Sequence, residues 1–200
     1  MGGYTAIADI GETLKKLLWD HIKDDAVAKS IIESEEQITF SSPEEVEADK
    51  KLSLFLYQVT ENAYLKNEEM QLVNSTKLKY PSLSLSLFYL VTSHTPKREN
   101  DHILLGKVMQ IFHDNAILRG SVLQGRLAGE DLRVILNPLS VDELNKLWSV
   151  ISKAKPFRLS LSYEVTPVRI ESMREREVKR VIERELEKYL VRGKDASQKR

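Results

Sequence analysis

Four histidines, His21, His94, His102 and His113, are the side chains of this sequence best suited to proton transfer or metal ligation. His102 and His113 fall in one predicted helix, eleven positions apart, a rise of about 16 Å that keeps them from sharing a metal. No HExxH or comparable ligand spacing is present. A serine nucleophile would need a strained turn of the GxSxG kind, which is absent, and nothing marks a base beside Gly120-Ser121. Gly120, Gly125 and Gly129 are followed by no Gly-Lys-Ser/Thr and do not follow a dinucleotide fingerprint, so they read as loop punctuation. Glu44-Glu45 follows Ser41-Ser-Pro43 and reads as the start of a helical turn rather than as a paired-carboxylate site. The chain has no cysteine, which removes thiol catalysis, cysteine-ligated zinc and iron–sulfur clusters together. The residue inventory thus points away from an enzyme and offers no catalytic, metal or cofactor site.

The elements that would position any site are better written. Pro81-Ser-Leu-Ser-Leu-Ser-Leu-Phe-Tyr-Leu-Val-Thr92 and Pro156-Phe-Arg-Leu-Ser-Leu-Ser-Tyr-Glu-Val-Thr166 are near copies of one strand. Leu85, Leu87, Tyr89 and Val91 in the first, and Leu159, Leu161, Tyr163 and Val165 in the second, alternate and so share one sheet face. Ser84, Ser86, Ser160 and Ser162 occupy the other face, smooth enough for another layer or another subunit to approach. Residues 7–22 carry apolar positions at helical spacing, and residues 101–115 form a helix apolar enough to lie deep against a sheet. Residues 52–60 suit a central strand covered on both faces, and residues 66–79 read as a long exposed loop. Ser140-Val-Asp-Glu143 is a capping box that starts a helix burying Leu144, Leu147, Trp148 and Ile151. Pro167 separates the second serine strand from a short last strand at residues 168–170. Beyond it, residues 173–190 are highly charged with one apolar stripe through Val178, Ile182, Leu186 and Tyr189. A helix of this kind needs a surface to pack on. The expected architecture is α+β: a domain over residues 1–171 with a mixed or antiparallel sheet packed by helices, and a charged helix and basic tail over 172–200.

Thirty basic and thirty acidic residues give a net charge of zero, without the basic excess expected of a phosphate-binding protein. Seven acids and no base lie between Glu33 and Asp49, while the tail from Arg192 to Arg200 is basic, so complementary patches across a subunit boundary are one reading. A solvated loop and a terminus explain the same charges. Sheets that bind single-stranded nucleic acid expose aromatics. Tyr89 and Tyr163 share the leucine face, so they are expected to be buried and no nucleic-acid partner is expected. No apolar run reaches membrane-spanning length and the N-terminus lacks a secretion layout, so folding in the cytoplasm without membrane insertion is expected.

Several segments, taken in order, resemble the cap or tube-terminator proteins of phage-tail-like contractile injection systems of the antifeeding-prophage and virulence-cassette type. They are Ile7-Ala-Asp-Ile-Gly-Glu-Thr-Leu14, Ile38-Thr-Phe-Ser-Ser-Pro43, Leu52-Ser-Leu-Phe-Leu-Tyr-Gln-Val-Thr-Glu-Asn62 and Leu83-Ser-Leu-Ser-Leu-Phe-Tyr-Leu90. Leu104-Leu-Gly-Lys-Val-Met-Gln-Ile-Phe-His113, Leu136-Asn-Pro-Leu-Ser140 with Leu147-Trp148, and Phe157-Arg-Leu-Ser-Leu-Ser-Tyr163 with Ile170-Glu-Ser172 complete the series. The resemblance covers residues 6–172 and implies a structural protein: a ring, usually of six copies, on the tube end distal to the baseplate. Such a ring stops tube growth and engages the last sheath layer. The implied partners are further copies of the chain, the inner tube protein and the sheath protein, within a particle assembled in the bacterial cytoplasm. The edge segment Val168, Arg169 and Ile170, and beyond the resemblance the charged residues Arg174, Arg176, Lys179 and Arg180, are the expected interface positions.

Overall fold

The computed structural model describes residues 3–177 apart from 67, 75, 128, 152 and 153. The expected packing helix at residues 178–190, with Lys179 and Arg180, lies outside them. The chain folds as one α+β unit around a six-stranded mixed sheet. Helix α1 (Ala6–Ile22) and the short α2 (Ala26–Lys29) precede β1 (Ile38–Thr39) and β2 (Leu52–Glu61). A small hairpin, β3 (Gln71–Asn74) and β4 (Lys77–Lys79), leads into β5 (Leu83–Ser93) and helix α3 (Arg98–Asp114). Strands β6 (Ile117–Leu118) and β7 (Leu132–Leu136), helix α4 (Val141–Ile151), β8 (Ser160–Ile170) and β9 (Glu175–Glu177) follow. The large sheet has the order β1-β2-β5-β8-β7-β6, and β3-β4-β9 form a separate three-stranded sheet.

The two serine-alternating strands, β5 and β8, are antiparallel partners, and their tyrosines face each other as the pair Tyr89–Tyr163. The apolar row extends outward to Leu56 on β2 and Leu136 on β7. Leu54, Leu87, Tyr89, Val91, Tyr163 and Val165 turn their apolar groups into a core closed by α1 and α3. Phe112 of α3 meets Tyr163 edge-on, with ring centroids 4.8 Å apart. Burial pushes the Tyr163 hydroxyl up to about 12 and that of Tyr89 higher still, so both phenols stay neutral parts of the core.

Five expectations change. Pro167 does not end a strand: β8 runs through it to Ile170, because the register slips between Leu85–Val168 and Leu87–Val165 and a bulge absorbs the residue that has no N–H. Residues 66–79 are no simple loop, since Leu72 pairs with Leu78 and β4 pairs on with β9. Glu175–Glu177 is therefore strand and not the beginning of a helix, with Lys77 bound to Glu175 at 2.8 Å. Strand β2 is not central: β1 covers only Leu52 and Ser53, and its far half is exposed. Helix α3 also starts earlier than expected, at Arg98, and leaves Ile103 and Met109 partly exposed.

The capping box forms as read. Glu143 accepts from the backbone and hydroxyl of Ser140 at 2.8 and 2.7 Å, and Ser140 accepts from the Glu143 N–H at 3.3 Å. Those bonds hold the Glu143 carboxyl below its ordinary range. Trp148 is the one residue of α4 that is fully buried, whereas Leu144, Leu147 and Ile151 are half-buried.

Candidate assembly surfaces

The serine face does not wait for a neighbour. Ser84, Ser86, Ser160 and Ser162 are all buried within the chain. The short hydroxyls let a polar lattice form where longer side chains would clash. Ser162 shares a hydrogen bond with the Tyr57 hydroxyl and accepts from Asn137, Ser86 pairs with Thr166, and Ser160 pairs with Thr92. Asn62 donates to Thr166 in the same lattice. Only the Ser84 hydroxyl lacks a partner on this face among the described residues.

One cluster has the residue types of a catalytic site. Ser53 Oγ and His94 Nε2 are 2.9 Å apart, with Asp101 and Arg158 close by. Yet Ser53 is 0% exposed, so no substrate reaches it. Burial, reinforced by Arg158 and Lys155, pushes His94 down to about 4 and leaves it a poor base. Asp101 does not orient the imidazole; it accepts from Ser93 Oγ, Thr95 N–H and Thr95 Oγ1 at 2.8, 3.0 and 2.7 Å. Asp101 sits inside α3 and pins the loop between β5 and that helix. The arrangement is a structural knot. The other histidines are dispersed: His21 donates to the Leu17 carbonyl, while His102 and His113 are exposed. Among the described residues, no three potential metal ligands gather.

The expected interface positions among the described residues separate into four settings. Val168 is fully buried, so its side chain belongs to the core and only its backbone lies toward an edge. Beside it, β7 pairs with β8 no further than Thr166, so residues 168–170 are laddered to β5 alone. Arg169 lies between Glu68 and Glu130 at 3.3 and 3.4 Å, in an open cavity of about 680 Å³ that also includes Glu69 and Glu171. Arg174 stacks over the Tyr80 ring at 4.4 Å, and its carbonyl accepts from the Tyr80 N–H. Arg176 is exposed on β9, opposite Leu78. These residues do not converge on one patch.

The model of the Pvc16 N-terminal domain matches residues 9–184. The chain belongs to the Pvc16 N-terminal domain family. No curated protein matches it in sequence. Among solved structures, this family member is similar to the sheath/tube terminator of an extracellular contractile injection system in its extended state. That similarity has 18% identity and a TM-score of 0.62, covering 96% of this chain and 66% of the other. It is also similar to the tube-terminating cap of the anti-feeding prophage, at 20% identity and a TM-score of 0.60, covering 90% of this chain and 60% of that one. At these identities the likeness is one of fold, and the chain spans a little under two thirds of the length of either structure. The family is the one to which the ordered segments of the sequence bear their resemblance.

Proposed function

We propose that this protein caps a contractile injection particle, forming a ring that ends the inner tube and engages the last sheath layer at the end distal to the baseplate. The observation that carries this reading is family membership over residues 9–184 joined to a shared fold with two tube-terminating caps. The chemistry agrees: among the described residues the hydroxyl of the Ser53–His94 pair is fully buried, and the proposed role rests on surfaces. In this reading six copies close a ring by head-to-tail contacts, and the tube and sheath proteins are its further partners. Buried Tyr89 and Tyr163 give a nucleic acid nothing to stack on. Among the described residues no helix is long and apolar enough to cross a membrane, which suits assembly in the bacterial cytoplasm before the particle is complete. The open edge at Val168, Arg169 and Ile170 and the charged side chains of Arg174, Arg176, Lys179 and Arg180 are proposed contacts to tube or sheath. Residues 172–200 form the proposed appendage to the 1–171 domain. Electron microscopy of particles made without this protein tests the reading. Overlong or frayed tubes are expected; tubes of normal length with normal ends, or particles lacking baseplates, would overturn it.

A further inference from the structure

The large sheet ends in two unfinished edges. β1 pairs with β2 only at Leu52 and Ser53, and among the described residues no strand lies on the β2 edge from Leu54 to Glu61. On the far side β6 pairs with β7 only at Leu132 and Arg133. Val134 donates outward to the Ala116 carbonyl, and by alternation the N–H and C=O of Leu136 point outward too, with no backbone partner among the described residues. Ile135 and Leu136 are each 44% exposed. Short apolar edges with free backbone groups are templates for another strand.

Each edge carries an apolar groove on the same face of the sheet. Beside β2, a cavity of about 260 Å³ lies between Leu54, Leu56 and Phe40 and the α1 residues Ile7 and Gly11. Beside β7, one of about 530 Å³ lies between Met109 and Phe112 of α3 and Val134, Leu136 and Tyr163. The row Leu56–Tyr89–Tyr163–Leu136 has one groove at each end.

Strand direction decides how two such edges meet. β2 and β8 run one way and β5 and β7 the other, since each neighbouring pair is antiparallel. A rotation about an axis along the strands preserves these directions. It therefore sets β7 of one copy antiparallel to β2 of the next, continuing the alternation of the sheet. We infer that copies of this protein join head to tail through these edges, the β7–α3 groove of one copy closing on the β2–α1 groove of its neighbour. The interface deepens the cap reading and rests on it for ring closure.

The absence of native cysteine permits a clean test. The double variant L56C/L136C is treated with a short flexible bis-maleimide, which tolerates a register slip of about two residues at a rise of ~3.3 Å each. Q58C/I135C, also a single row of the sheet, places both thiols at exposed positions and guards against a folding defect. Concentrated purified protein is expected to yield a ladder of covalent dimers, trimers and larger rings from both double variants. Each single-cysteine variant should stay unlinked. An unlinked double variant, whether assembled or monomeric by light scattering, overturns the edge pairing. Dimers from L56C or L136C alone also overturn it, because they signify a two-fold contact. The cap reading is judged separately by tube length, so particles of normal length with unlinked double-cysteine protein would refute the interface and leave the cap standing.

Discussion

Gly125 and Gly106 show how one residue type takes opposite roles. Gly125 has φ +61°, and a Cβ there would come within 2.4–2.6 Å of the Asp9 carboxyl group, so the loop after β6 is seated on α1 by the lack of a side chain. Next to it, Gln124 donates its N–H to Thr13 of the same helix at 2.9 Å. Gly125→Ala should destabilise by at least about 1–2 kcal/mol, the cost of a left-handed Cβ, before Asp9 is displaced. Gly106 lies within α3 with nothing within 4 Å of an added Cβ. Gly106→Ala should raise stability by about 0.5–1 kcal/mol through helix propensity. Thermal melts of the two variants should move in opposite directions by a few degrees, and a shift of the same sign in both would refute this account. His94 gives a pH dependence. Its folded value, about 4, lies below the ordinary 6.5, so the unfolded chain takes up a proton that the folded chain refuses between those limits. The stability held by neutral His94 is complete above pH 6.5 and is lost as pH falls toward 4. H94Q, which keeps an acceptor for Ser53, should show a shallower loss of melting temperature across that window; parallel curves would count against it.

At the scale of elements, the small β3-β4-β9 sheet is the part least supported by apolar burial. Leu72 and Val73 are largely exposed, and β9 contributes backbone pairing and the Lys77–Glu175 bridge. A two-stranded hairpin alone is marginal in water. Truncation before Met173 should therefore speed amide exchange at residues 71–79 while β5 and β8 keep their protection, which hydrogen exchange read by mass spectrometry can follow. Equal loss in all strands would mean that β9 supports the large sheet as well. The sequence concealed this sheet because its strands are only three or four residues long, β4 and β9 are mostly charged, and β4 pairs with β9 about a hundred positions away. Strands β5 and β8, by contrast, were legible from alternation alone, as was the capping box of α4 from its spacing.

Across the whole molecule, the period-two pattern of β5 and β8 determined which side chains face inward, and Tyr89 and Tyr163 are buried as that pattern requires. The ordered segments likewise carried the family, because each reports a local packing need. Nothing in the residue types gave a catalytic site, and the one constellation that resembles one, Ser53 with His94, arises only where β2 meets the loop after β5. Exposure could not be read from those residues, since burial is set by what folds over them. The serine face was legible as small and polar, but its covering by Tyr57 and Asn137 depends on contacts between residues far apart in the chain. Likewise the passage of β8 through Pro167 rests on a bulge whose register only the partner strand can set. The sequence by itself determined side-chain direction in β5 and β8, the start of α4 and the family, all of which follow from short-range periodicity and order. Tertiary structure alone decided strand neighbours, and with them the two open edges, because an edge is defined by the absence of a partner and no local pattern records that.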